Sequence, residues 1–298
     1  MKRMLGKLRG AKKEIGTEVP TRPLPDEPSD NETIRSRSAL EPPQLIVGAA
    51  QSIGKQRDHN EDSLFSLTAT LTSDYHNVPF GLYIVADGMG GHQHGEVASG
   101  IAIRTMASFI VQKLYAPLLS VKPTPPDESL LEIMQEGVQE AHRAITRQVP
   151  GGGTTLTAAL ILGDQMTVAH VGDSRAYLIS ENGKVEPLTR DHSLVKRLVE
   201  LGQITTDEAA THPQRNVLYR ALGQGEPFDP DIHSLPLPPS GFLLLCSDGL
   251  WNVVPEAEIL RLVKASNNPE EACLKLINAA NNAGGPDNIS AILIRLPG

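Results

Sequence analysis

Leu82-Tyr83-Ile84-Val85-Ala86 runs without a break into Asp87-Gly88. An apolar, strand-forming run that ends directly in an aspartate followed by a small or polar residue then recurs. Val168-Ala169-His170-Val171-Gly172 leads into Asp173-Ser174, and Leu243-Leu244-Leu245-Cys246-Ser247 leads into Asp248-Gly249. A fourth acid, in Gly284-Gly285-Pro286-Asp287-Asn288, comes just before the final apolar run, and Asn60-Glu61-Asp62 precedes the run that starts at Leu64. Strand interiors are rigid, and their ends are where a fold can present polar groups without burying them unpaired. Acids at several strand ends can therefore converge on one cleft. Carboxylates crowded within a few Å repel one another and take up protons unless divalent cations neutralise them. Oxygen-only ligation points to hard ions, Mg²⁺ or Mn²⁺. The glycines after Asp87 and Asp248 let the backbone come close to such ions, and Gly88 could lend its carbonyl. One Asp-Gly pair alone reads as an ordinary turn; the recurrence is what carries weight.

Outward from these runs, 45–52, 64–68, 80–86, 154–162, 166–171, 175–179, 242–246 and 289–296 read as strands bounded by Gly and Asp. Two helices fall between 95 and 148. The first carries Ile103, Met106, Ile110 and Leu114 on one side; the second carries Leu131, Met134, Val138, Ala141 and Ile145 at spacings of three and four. A third stripe, Cys273, Leu276, Ile277 and Ala280, stops near Gly284-Gly285. Strands outnumber helices and several are joined by short turns such as Gly163-Asp164 and Asn182-Gly183, so much of the pairing is expected to be antiparallel. The expectation is a layered sandwich of helices and strands, without a repeat of 20–50 residues.

Length and composition bound the rest. The 298 residues, 40% hydrophobic and 21% charged, suit one domain of roughly 250 residues plus an appendage. The first 44 residues form a Pro-punctuated leader expected to be disordered, with 45–298 as the folded domain. Lys2, Arg3, Lys7, Arg9, Lys12 and Lys13 make the start of that leader basic, so it reads either as a solvated tail or as a dock for an acidic partner or anionic membrane surface. A formal net charge of -8 argues against nucleic acid as a partner. Two cysteines, Cys246 and Cys273, form no C-x-x-C pair, which fits a reducing cytoplasm better than a disulfide framework. Apolar runs fall short of the roughly 18–20 residues that cross a bilayer, and no signal peptide is recognisable.

Six segments occur in a telling order: Ser52-x-Gly54-x-x-Arg57-x-x-Asn60-Glu61-Asp62-Ser63, Ala86-Asp87-Gly88-Met89-Gly90-Gly91-His92-x-x-Gly95-Glu96-x-Ala98-Ser99, Gly153-Thr154-Thr155, Val171-Gly172-Asp173-Ser174-Arg175, Leu245-Cys246-Ser247-Asp248-Gly249-Leu250 and Gly285-Pro286-Asp287-Asn288. In order and spacing this set resembles the bacterial branch of the type-2C (PPM) metal-dependent protein serine/threonine phosphatases, and the match spans about 45–296. The resemblance implies an α+β fold, a four-layer αββα sandwich of two central, mainly antiparallel sheets flanked by helices.

The resemblance also implies the chemistry, in which two Mn²⁺ or Mg²⁺ ions hold a bridging hydroxide that attacks the phosphorus of phosphoserine or phosphothreonine in line. Asp87 matches the bridging ligand, with the Gly88 carbonyl and Glu61 on one ion and Asp248 and Asp287 on the other. Asp173 matches the position that, with Asp248, holds a third and weaker ion in bacterial relatives. Asp62 matches an acid that orients metal-bound water, and Arg57 one that grips phosphate with its planar fork. His92 could protonate the leaving alkoxide, but eukaryotic relatives often place His where Met89 stands. Metal-bound water could serve instead, or His92 could tie the loop. Arg220, in Tyr219-Arg220-Ala221-Leu222-Gly223, is expected to act structurally near the cleft. The stretch 191–213, helical at 194–201, falls where relatives carry a mobile flap; it could gate substrates, or its apolar pattern could reflect packing alone.

Other patterns fail. A cysteine phosphatase needs Arg six residues after its Cys, whereas Cys246 reaches Asn252 and Cys273 reaches Ala279. Gly151-Gly152-Gly153-Thr154-Thr155 lacks a P-loop Lys and reads as a tight approach to a strand. Asp229-Pro230-Asp231 is expected to be a loop, and His59, His76, His142 and His233 to be surface or packing residues. The expected substrates are phosphorylated proteins, with an opposing Ser/Thr kinase as counterpart and the chain acting as a monomer. The rival reading is a phosphopeptide-binding or scaffolding module with low turnover.

Overall fold

The structure is a computed structural model that describes residues 44–73, 76–90, 93–120, 122, 126–225 and 228–297. All but the last residue of the expected 1–44 leader lies outside them, and so does His92. The elements run β1 (Ile46–Ser52), β2 (Asp62–Ser73), β3 (His76–Met89), α1 (Gln93–Ile110), a π-helical turn (Val111–Tyr115), α2 (Ala116–Leu118), α3 (Leu130–Gln148), β4 (Gly153–Thr154), β5 (Leu156–Leu162), β6 (Gln165–Val171), β7 (Arg175–Ile179), β8 (Val185–Pro187), α4 (Leu194–Glu200), α5 (Thr206–Ala210), β9 (Asp231–Pro236), β10 (Phe242–Cys246), α6 (Asp248–Trp251), α7 (Glu256–Lys264), α8 (Pro269–Asn282) and β11 (Ile289–Arg295).

Two sheets result, one ordered β1-β11-β10-β7-β8 and the other β2-β3-β5-β6-β9 with β4 on β3. The strand pairs among the described residues are antiparallel. Because side chains alternate across a strand, a run that is apolar at every position must be covered on both faces. β3 sends Leu82, Ile84 and Ala86 into a core shared with α1 and α3, and Tyr83 and Val85 into a second core between the sheets. β10 and β11 repeat this: Leu243, Leu245, Ile292 and Ile294 face the other sheet, while Leu244, Cys246, Ala291 and Leu293 face α7 and α8. Three apolar layers therefore separate four layers of secondary structure, as the family resemblance implies.

Several elements depart from the sequence expectation for identifiable reasons. The run 154–162 breaks at Thr155, because Thr154 turns to pair with Gly88 and Leu222. On α3, Leu131 is exposed, and Ile133 and Ala144 join Met134, Val138, Ala141 and Ile145 in the core. Of Asp229-Pro230-Asp231, expected to be a loop, the first two residues are one, whereas Asp231 opens the edge strand β9, where Pro236 at the strand's end is tolerated. The Ile103, Met106, Ile110 and Leu114 stripe is buried, its last member inside the π-helical turn.

α8 lies directly on β1 at Gly48, where a Cβ would sit 2.2 Å from the Glu270 amide nitrogen and 2.3 Å from the Pro269 carbonyl carbon. Backbone cannot yield as a side-chain tip can. Gly48→Ala is therefore expected to lower stability by about 1–3 kcal/mol or more, read as a reduced urea midpoint at unchanged slope.

Candidate active site

The strand ends meet. In the β2–β3 ladder Asp62 stands opposite Asp87, so the register of one hairpin places two of the acids side by side. Asp62 is buried, and its Oδ2 accepts from the Ser247 and Ser290 hydroxyls at 2.7 Å each. Ser247 follows β10 and Ser290 lies in β11, so this carboxylate from one sheet is held by hydroxyls of the other. Asp87 is fixed through its backbone: its N–H donates to Thr155 Oγ1 at 2.9 Å and its carbonyl accepts from Thr155 N at 2.9 Å. Gly88 packs so tightly that a Cβ there would lie 2.2 Å from the Gly95 carbonyl oxygen and 2.7 Å from that of Glu61. Any side chain would push Glu61 and Asp87 apart. The Glu61 carbonyl accepts from Ser99 Oγ at 2.6 Å, and the Glu61 N–H donates to Asn288 Oδ1 at 2.8 Å.

Asn288 also donates to the carbonyls of Ile53 and His59, tying the 53–61 loop beside Asp287. Asp248 opens α6. The Trp251 indole N–H reaches back to the Asp173 carbonyl at 2.9 Å, which locks α6 to the end of β6. Arg57 is half-exposed and donates through Nη2 to Asp287 Oδ2 at 2.7 Å. Arg220 donates to Asp231 Oδ1 at 2.8 Å, an ion pair outside the acidic cluster. His59 contacts Glu61, and His142 is buried beside Phe228.

Electrostatics identify Asp87 as the hub. Burial, and then the charges of Asp62, Asp248, Asp173 and Asp287, push its carboxyl well above the usual carboxylate range. Asp248 is driven up by burial and then by Asp173, Asp287 and Asp62. Burial raises Asp62 to about 6, against the pull of Ser290 and Ser247, and burial followed by Asp191 raises Asp173 to about 7. The Asp87 carboxyl stands within hydrogen-bonding reach of both Asp62 and Asp248. With all of them ionised no proton bridges those contacts, and Asp62 Oδ1 and Asp248 Oδ1 are left buried without a partner. Buried, unpartnered anionic oxygens are what a hard divalent cation satisfies, so the residues fit Mn²⁺ or Mg²⁺. Among the described residues no three acidic, His or Cys side chains already stand in coordinating geometry; the acids gather as electrostatic neighbours around Asp87.

Protein phosphatase 2C is the family whose model matches residues 47–289. The chain belongs to that family. The serine/threonine phosphatase stp of Listeria monocytogenes serotype 4b (strain F2365) is 38% identical over 247 residues, spanning 81% of this chain and 92% of the relative. Protein phosphatase PhpP of Streptococcus pneumoniae serotype 2 is 35% identical over 256 residues, 85% of this chain and 98% of its own. Among solved structures, the Mycobacterium tuberculosis serine/threonine phosphatase PstP/Ppp superposes with a TM-score of 0.71 at 32% identity, covering 86% of this chain and 100% of that one. A PstP catalytic domain in complex with two manganese ions has a TM-score of 0.69 at 31% identity, with 86% and 99% covered. This phosphatase 2C chain is thus a metal-dependent protein serine/threonine phosphatase acting on phosphoproteins, and the scaffolding alternative is not favoured. Among the described residues no helix is long and apolar enough to cross a membrane.

The spacing of Ser247, Ser290, Thr155, Trp251 and Asn288 carries no signal of their work, since each acts on a residue distant in sequence. A carboxyl raised by folding holds its proton in the fold at a pH where the unfolded chain has lost it. Stability in chelator should therefore fall as pH rises from about 4 to 7, the window set by Asp62 and Asp173. Saturating Mn²⁺ should reverse that slope, because protons then compete with the cation. Asp87→Asn should flatten the chelator slope and remove the gain in melting temperature on adding Mn²⁺. Thermal unfolding across pH, with EDTA or with Mn²⁺, reads all three.

Proposed function

We propose that the chain hydrolyses phosphoserine and phosphothreonine with Asp87, the Gly88 carbonyl, Glu61, Asp248 and Asp287 holding two cations, and Asp173 with Asp248 holding a third. The observation that carries this reading is the convergence of four aspartates, Asp62, Asp173, Asp248 and Asp287, on Asp87 with two buried carboxylate oxygens left unpartnered. When bound, Mn²⁺ or Mg²⁺ supplies Lewis acidity that makes water nucleophilic near neutral pH and offsets the phosphoryl charge. Asp62, anchored through Oδ2 by Ser247 and Ser290, keeps Oδ1 to accept a hydrogen bond from the attacking water and aim it. Arg57 now spends Nη2 on Asp287; turned outward, its planar fork offers two parallel donors to the phosphoryl oxygens. His92 is the candidate proton donor to the leaving serine or threonine oxygen.

Hydrolysis of protein phosphomonoesters implies a counterpart that makes them, so a Ser/Thr protein kinase is the proposed opposing enzyme. Two free, buried cysteines support a cytoplasmic setting, and one chain carrying every matched acid supports action as a monomer. The segment 45–298 is proposed as the phosphatase domain, with the basic leader as an appendage to it.

Full-length protein freed of metal should hydrolyse a phosphothreonine peptide only after Mn²⁺ or Mg²⁺ is restored. Retained peptide binding without turnover in either ion would sink the assignment. Arg57→Ala is expected to raise KM for p-nitrophenyl phosphate more than it lowers kcat, the pattern of a group that holds the phosphoryl in ground state and transition state alike.

A further inference from the structure

His192 has no role in the site as assembled, yet it is almost wholly buried at the root of the 194–217 segment, its side chain 1% exposed. Its backbone N–H donates to the Gly172 carbonyl at 2.7 Å, and the Gly172 N–H donates to its Nδ1 at 3.1 Å. An amide nitrogen always carries its proton, so Nδ1 must be the bare nitrogen and the ring proton must sit on Nε2. That is where Asp231 Oδ2 lies, at 3.1 Å, while Asp231 Oδ1 accepts from Arg220. Arg220 Nη1 also stands 3.3 Å from Nε2, but two donors cannot bond each other, so its proton goes to Asp231. The rings of His170 and Tyr219, with centroids at 4.9 and 5.5 Å and planes tilted by 43° and 47°, pack against the imidazole. Burial lowers the pKa of His192, in keeping with an uncharged ring.

Gly172 immediately precedes Asp173 and has φ of 106°, in a turn where a Cβ would strike the Thr155 side chain at 2.6 Å. Such a turn is held by what bonds its backbone. The other side of Asp173 is fastened too: Arg175 pairs with Asp191 through two hydrogen bonds of 2.9 and 2.7 Å and stacks 3.5 Å from the centre of the Trp251 ring.

We propose that His192 is a positioning residue: with its proton directed to Asp231, its Nδ1 accepts the Gly172 N–H and so sets the Asp173 carboxylate for its cation. This rests on the reading of Asp173 as a metal ligand.

Trp251 is the chain's one tryptophan and bonds the Asp173 carbonyl, so its fluorescence reports on this turn during Mn²⁺ titration of the full chain. Asn places an acceptor where Nδ1 stood, whereas Gln keeps only a donor toward Asp231. His192→Gln should raise the Mn²⁺ midpoint about 10–100-fold, and His192→Asn should return it to within about threefold of wild type. A midpoint unmoved in His192→Gln but shifted in Asp173→Asn overturns the proposal alone. A midpoint unmoved in Asp173→Asn overturns the metal assignment and the proposal with it. Independently of either variant's stability, ¹⁵N-histidine NMR of the wild type in Mg²⁺ should show the His192 proton on Nε2; a proton on Nδ1, or a charged ring at pH 7, overturns it.

Discussion

Like charges forced together inside a protein are the constraint on which the rest of this structure depends. Asp62, Asp87, Asp173 and Asp248 are raised first by burial, and every other aspartate of the cluster adds to the strain on Asp87. A fold holds such a group only if its scaffold is stiff and if something neutralises the charge. The scaffold is a pair of sheets buried on both faces, and the proposed neutralising agent is a divalent cation, in keeping with the metal dependence of the family.

The stiffness comes from links between layers rather than within them. Asp62 begins β2 in one sheet and takes hydroxyl donors from Ser247 and Ser290 in the other, partners 185 and 228 residues away. Asn288 joins Glu61, Ile53 and His59 to the turn before β11. Trp251 ties α6 to the end of β6. These bonds fasten the acids and their flanking backbone to partners from distant segments, so the cluster and the sandwich hold each other in place. The same logic places glycines: Gly88 and Gly48 stand where two backbones approach too closely for any side chain.

Much of the site was legible in the sequence because one local rule produced it: an apolar strand ending in an acid. Each strand carrying Asp87, Asp173 or Asp248 could be read from its own residues, and the order of motifs pointed to the family. Elements governed by non-local pairing were less legible. Asp229-Pro230-Asp231 looked like a loop because of Pro230 and the flanking Pro227 and Pro236, and Asp231 joined a strand only because β6 offered an unpaired edge. Leu131 kept helical spacing with the buried residues of α3 but lies at the border of the stripe, where the helix turns to solvent.

From its sequence alone this protein had strands, their acidic ends, the oxygen-only character of the donors and the family those features mark, because each is a property of a few neighbouring residues. Only the tertiary structure decided which face of each strand met which layer, that Asp62 is gripped by two serines from the opposite sheet, that Arg57 pairs with Asp287, and where the proton of His192 must sit. Those outcomes depend on which atoms of remote segments come within about 3 Å of one another, the range at which hydrogen bonds form, and no local pattern of residues encodes that distance.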